Sequence, residues 1–177
     1  PAAHEQLAAR HIGTFAVGPS NRIFRRVPDG GWVPEASRGA PLYADWGASD
    51  TEVYAAGSAG TFLKREPDSG TWFTQPVIGL TNQTVISIWG SGPNDVWASA
   101  QGAGLFHFDG TTFGPAPVGA LGPTEFVHGT GPNDVWVTSA APAQLHRFDG
   151  GTWAEADAGL SMFDAGYKGP FNVFITP

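Results

Sequence analysis

Between its glycines and prolines this chain carries segments four to seven residues long, rich in Val, Ile, Thr and aromatic side chains. Segments of that length and composition read as β-strands, and the 3.6-residue apolar period of a helix is nowhere visible. From Val85 to Gly114 the pattern predicts four of them: Val85 to Trp89, Val96 to Ser99, Gly104 to Phe108 and Thr112 to Gly114. Their connections carry turn chemistry. Gly92-Pro93-Asn94-Asp95 joins the first two, with proline presetting φ and removing a donor that the turn does not need. Asp109-Gly110 joins the last two, because glycine accepts positive φ and the aspartate can accept backbone N–H bonds. Gly102-Ala103-Gly104 is a tight turn between the middle pair, as Gly57-Ser58-Ala59-Gly60 is one unit earlier.

The pattern repeats. Turns ending in an aromatic recur at Asp29-Gly30-Gly31-Trp32, Asp68-Ser69-Gly70-Thr71-Trp72, Asp109-Gly110-Thr111-Thr112-Phe113 and Asp149-Gly150-Gly151-Thr152-Trp153, their aspartates 39, 41 and 40 residues apart. A second mark, ending in Phe15, Tyr54, Trp97, Trp136 and Phe174, is spaced 39, 43, 39 and 38 residues. Two separate marks sharing one period define a repeat, divided roughly as 1–36, 37–79, 80–117, 118–158 and a partial 159–177 within a single domain. Four antiparallel strands in about 40 residues match the blade of a β-propeller. A lone four-stranded sheet cannot bury both faces, so blades must stack, and Trp32, Trp72, Trp97, Trp136 and Trp153 are expected as the packing between them.

Composition supports dense turns between short strands. Gly (25) and Pro (15) approach the range of low-complexity disorder, but 41% hydrophobic and 12% aromatic residues supply a core. There is no cysteine, which excludes disulfides and thiolate metal sites. No apolar run approaches the length that crosses a bilayer as a helix. The net charge is −7, and an acidic chain lacks the basic stripe that a nucleic-acid backbone requires. The one basic cluster, Arg22, Arg25 and Arg26, reads as a solvated strand face.

Ile88-Trp89-Gly90-Ser91-Gly92-Pro93-Asn94-Asp95-Val96-Trp97-Ala98 and Thr130-Gly131-Pro132-Asn133-Asp134-Val135-Trp136, each followed by a Phe-Asp-Gly turn, resemble the tandem repeats of exported, myxobacterial-type propeller proteins. More loosely, they are similar to the Asp-box repeats of sialidases and to photosystem assembly-factor propellers. The resemblance runs from about Gly13 onward and implies an extracytoplasmic propeller: secreted, periplasmic or at the cell surface. It implies no activity, because such repeats are scaffold. The complete Ser-x-Asp-x-Gly-x-Thr-Trp box and an arginine triad for a sialic-acid carboxylate are both missing.

Chemistry-bearing patterns are sparse. His4, His11, His107, His128 and His146 show no metal-ligand spacing, and the turn aspartates recur because the turn needs them, so neither a metal nor a cofactor is expected. There is no nucleophile elbow and no phosphate loop. Propeller sites lie where loops converge near the axis. In this register Trp46, Trp89 and His128 end the first strand of successive repeats, each followed by a glycine, and are the candidate ligand-binding residues. Gly169-Pro170-Phe171-Asn172-Val173-Phe174-Ile175-Thr176 copies Gly131 to Thr138, placing Val173 in a second strand of a fifth repeat. That leaves either a four-bladed ring or a slice of a larger propeller, with an edge at which another chain can associate. The expectation is a non-enzymatic extracytoplasmic binding or scaffolding module with a protein or glycan partner. The alternatives are a propeller-based glycoside hydrolase or lyase, and a structural subunit of a larger assembly.

Overall fold

The computed structural model describes residues 15–18, 21–37, 39–49, 51–116, 121–140 and 143–156, and these form antiparallel sheets with no helix. The first sheet contains β1 (Phe15–Val17), β2 (Arg22–Arg26) and β3 (Trp32–Ser37). The second contains β4 (Leu42–Ser49), β5 (Glu52–Gly57), β6 (Phe62–Arg65) and β7 (Trp72–Thr74). The third is β8 (Thr84–Gly92), β9 (Asp95–Gln101), β10 (Gly104–Phe108) and β11 (Phe113–Pro115). The fourth is β12 (Thr124–Gly131), β13 (Asp134–Ala140), β14 (Ala143–Phe148) and β15 (Trp153–Glu155). Each is a meander in chain order. The expected strand at Val173, and any strand within residues 1–12, lie outside the described residues.

The opening strands run further than the sequence pattern predicts. β8 continues past Trp89 to Gly92, which pairs with Asp95, so the hairpin loop is only Pro93-Asn94. A register shift between Gly90 and Gly92 absorbs the extra residue, and the same irregularity follows Gly47 and Gly129. The aspartate turns form as the residue types require. Asp109 Oδ1 accepts N–H bonds from Thr111 and Thr112 at 2.8 Å each, while Gly110 sits at φ 90°. Asp149 repeats this with Gly151 and Thr152, and Asp29 with Gly31. In the second sheet Ser69 takes over the part, its Oγ accepting the Thr71 N–H at 3.0 Å.

The sheets pack in series, first on second, second on third and third on fourth. At the first and third junctions an aromatic of one sheet meets a residue pair on the last two strands of the next. Trp153 meets Trp97 edge-on at 5.6 Å, and Phe148, paired with Trp153 in register, lies 5.6 Å from the same ring. At the first junction Trp72 meets Phe15 edge-on at 5.9 Å, and Arg65, paired with Trp72, stands 5.5 Å over Phe15. Between the second and third sheets Phe113 meets Phe62 at 4.8 Å, and Phe62 meets Tyr54 at 5.9 Å. These contacts form two hydrophobic clusters, one joining the first and second sheets and one running from the second to the fourth.

Glu35 on β3 adds a polar tie to the first junction. It accepts hydrogen bonds from Arg25 (3.1 Å) on its own sheet and from Arg65 (2.9 Å) and Trp72 Nε1 (3.0 Å) on the second. Burial opposes its ionisation, but the Arg65 and Trp72 hydrogen bonds and the two guanidinium charges outweigh that and hold its carboxyl below the usual value. Of the five tryptophans expected between blades, Trp72 and Trp97 are buried and Trp136 and Trp153 half-buried. Trp32 departs from the expectation, with 41% of its surface exposed. It occupies the place of Trp72 and Trp153, but its side of the first sheet has no preceding described sheet to receive it.

Candidate functional site

The three candidate rings sit on the opening strands at one register position. Trp46 pairs with Tyr54, Trp89 with Trp97 and His128 with Trp136, so each ring shares a face with the aromatic beside it. Two of the glycines that follow, Gly90 and Gly129, serve the preceding sheet, while Gly47 lies against Glu52, Ser49 and Val53 of its own sheet. A methyl group on Gly90 would stand 2.6 Å from Trp46 Cη2, and one on Gly129 would stand 2.6 Å from Trp89 Cη2. Trp46 and Trp89 are accordingly only 9% and 6% exposed, clamped against the next sheet. His128 is half-buried, with its ring 6.2 Å from that of Trp89 and tilted by 30°. Among the described residues no further sheet lies on the face that carries His128 and Trp136.

A second repeated group lies at the neighbouring hairpins. In the third sheet Asp95 Oδ1 accepts the Trp97 Nε1–H at 2.9 Å and lies 2.6 Å from His107 Nε2, and its other oxygen accepts the Ser91 hydroxyl. His107 in turn stacks on Trp97 with centroids 3.7 Å apart. The fourth sheet repeats the arrangement: Asp134 accepts from Trp136 Nε1 (2.9 Å), Arg147 (2.7 Å) and Thr130, with Arg147 5.4 Å over the Trp136 ring. In the second sheet Lys64 pairs with Glu52 and stands 5.2 Å over Tyr54.

These acids are stabilisers of their neighbours. Burial opposes ionisation of Asp95, but hydrogen bonds from His107 and Ser91, the His107 charge and the Trp97 N–H prevail and lower its pKa. The Thr130 hydroxyl, followed by Arg147 and Trp136, lowers that of Asp134 against a smaller opposing effect of burial. A carboxylate held below its usual range with its lone pairs engaged is a poor proton acceptor near neutral pH. No group of three or more His, Cys, Asp or Glu among the described residues is placed to hold a metal ion.

Asp45, beside Trp46, was not singled out by the sequence pattern. It pairs with Ala55, in the place that Ile88 (opposite Ala98) and Val127 (opposite Val137) take in the following sheets. The residue is half-buried overall, yet both carboxyl oxygens are sealed from solvent with no hydrogen-bond partner in the structure. Burial pushes its pKa from 3.8 up to about 7. The folded chain thus holds a proton here that the unfolded chain has released, and stability is lost as pH rises between these two values and no further above them. Asp45→Ile is expected to stabilise the protein by about 2–4 kcal/mol near pH 8, and by less near pH 4. Urea melts of both proteins at the two pH values check this, and a gain that does not grow with pH refutes it.

No known protein family matches the sequence, and no curated protein does either. Solved structures do. Virginiamycin B lyase from Staphylococcus aureus superposes with a TM-score of 0.67 at 15% identity, over 90% of this chain and 57% of that one. YCF48 bound to D1 peptide gives 0.53 at 15% identity, over 64% and 39%. The extracellular domain of the one-component system BT4673 from B. thetaiotaomicron gives 0.60 at 16% identity, over 84% and 21%. The chain therefore spans less than two thirds of the length of each of these structures. At such identities the likeness shows the fold alone: this chain has the architecture of a β-propeller, built from antiparallel blades of about 40 residues.

Proposed function

We propose that the chain is a non-enzymatic, extracytoplasmic binding or scaffolding module that holds a protein or glycan partner on the face carrying His128 and Trp136. The observation that carries this reading is the different fate of three equivalent rings. Trp46 and Trp89 are buried against the next sheet, whereas His128 is half-buried, in register with the half-buried Trp136. Flat rings beside a glycine backbone suit stacking against a sugar or an aromatic or cationic side chain of a peptide. A structure of YCF48 holds a peptide and that of BT4673 is an extracellular domain, which supports a binding role and an extracytoplasmic setting for this fold.

Peptide and glycan arrays probed with the whole chain test the reading. His128→Ala is expected to weaken a captured ligand about tenfold or more, with little change in melting temperature. Trp89→Ala acts on the same surface through the wall behind it. Undiminished capture by both variants removes this surface as the site.

A further inference from the structure

One cross-strand row runs through the middle of the second, third and fourth sheets, on the face turned toward the preceding sheet. In the third sheet it is Ile88, Ala98 and Phe106, apolar and buried throughout. The second sheet has Asp45, Ala55 and Leu63 in those places, and the fourth has Val127, Val137 and His146. One row thus opens on an acid and another closes on an imidazole. Ala55 and Leu63 belong to the cluster that joins the first sheet to the second, and Val127 and Val137 to the cluster that reaches the fourth.

Both polar groups lack the partners that a buried polar group ordinarily has. The two carboxyl oxygens of Asp45 and Nε2 of His146 are sealed from solvent with no hydrogen bond, and His146 as a whole is buried. Among the described residues the charged groups on the faces around Asp45 are Arg25, Glu35 and Arg65, which pair with one another. Those around His146 are Glu155, its partner in register, and across the junction Asp95 and His107, which lie 2.6 Å apart. Burial favours the neutral form of each group: it raises the pKa of Asp45 and lowers that of His146, where the Glu155 charge opposes it.

We propose that these two groups make the series of sheets proton-sensitive at two places and in opposite senses, so that acidification tightens the junction of the first and second sheets and loosens that of the third and fourth. Opening the first junction frees Asp45 to ionise. Opening there is therefore favoured as pH rises from 3.8 to about 7, and no further above. Opening the third junction frees His146 to take up a proton, so it is favoured as pH falls below 6.5. In the range shared by the two responses, a change of pH moves firmness from one junction to the other.

Hydrogen exchange of the whole chain near pH 5 and near pH 8, read as protection relative to unstructured peptides at each pH, tests this. Peptides covering β1 and β2 are expected to lose protection about tenfold or more on going to the higher pH. Peptides covering β13 and β14 are expected to gain it. Asp45→Ile removes the first response and leaves the second; His146→Leu, which places there the side chain of Leu63, does the reverse. Asp45→Asn and His146→Phe serve where either of these fails to fold. Protection that moves in the same direction in both regions overturns the proposal. So does a response that survives the loss of its own group, which at the third junction would assign it to Asp95 and His107.

Discussion

Replacing Trp97 by alanine is expected to lower the unfolding free energy by about 3–5 kcal/mol, the range for truncating a large buried aromatic. Trp97 is 3% exposed and joins the third sheet to the fourth through contacts with both Phe148 and Trp153. It also stacks on His107 and donates its indole N–H to Asp95. Truncation therefore opens a cavity and removes one of the donors that keep Asp95 ionised. A double-mutant cycle with Trp153→Ala should show a coupling of roughly 0.5–1.5 kcal/mol beyond the lost area. Trp32→Ala, read beside it by urea unfolding, should change stability by no more than about 0.5 kcal/mol. Equal losses at Trp32 and Trp97 would contradict the packing in series.

Gly129→Ala is the second large effect, and it comes from adding an atom. The new methyl group would stand 2.5 Å from the carbonyl oxygen of Asp134 and 2.6 Å from Trp89 Cη2. The oxygen belongs to the paired backbone of β13, and the indole is held between two sheets, so neither moves without disturbing a ladder or a junction. Overpacking of this kind costs about 1–3 kcal/mol. Gly131→Ala, two residues on, meets nothing within 4 Å, so it serves as the control. Thermal unfolding of the pair should show a large drop for the first and little for the second. If the two melt together, the Trp89 clamp is absent.

The fold was legible because one 40-residue pattern was written several times, and a feature recurring at fixed spacing reports packing that each unit needs. The third strand of the third repeat, Gly104 to Phe108, was read to the residue. The opening strands were read short because glycine after Trp46, Trp89 and His128 looks like a stop. In the structure Gly90 and Gly129 are the flat spots on which a neighbouring ring rests. Trp32 shows the limit of reasoning from equivalent positions. Equivalence fixes where a side chain points, whereas burial depends on what stands opposite. The acid–aromatic–base groups were missed although their signal is present: Glu52 and Lys64, Asp95 and His107, and Asp134 and Arg147 fall 12, 12 and 13 residues apart, the separation bridged by the hairpin between second and third strands. Reading each repeat column for charge would also have exposed Asp45, an acid in line with Ile88 and Val127.

The clamp of a tryptophan on the following glycine, made by Trp46 on Gly90 and by Trp89 on Gly129, is directional, with a ring facing forward and a bare backbone behind. A gene segment encoding such a unit can be duplicated or deleted in frame, and the new neighbours meet with surfaces already cut to match. Growth by whole modules thus demands no compensating change elsewhere, whereas an insertion of a fraction of a module would set a ring against a side chain.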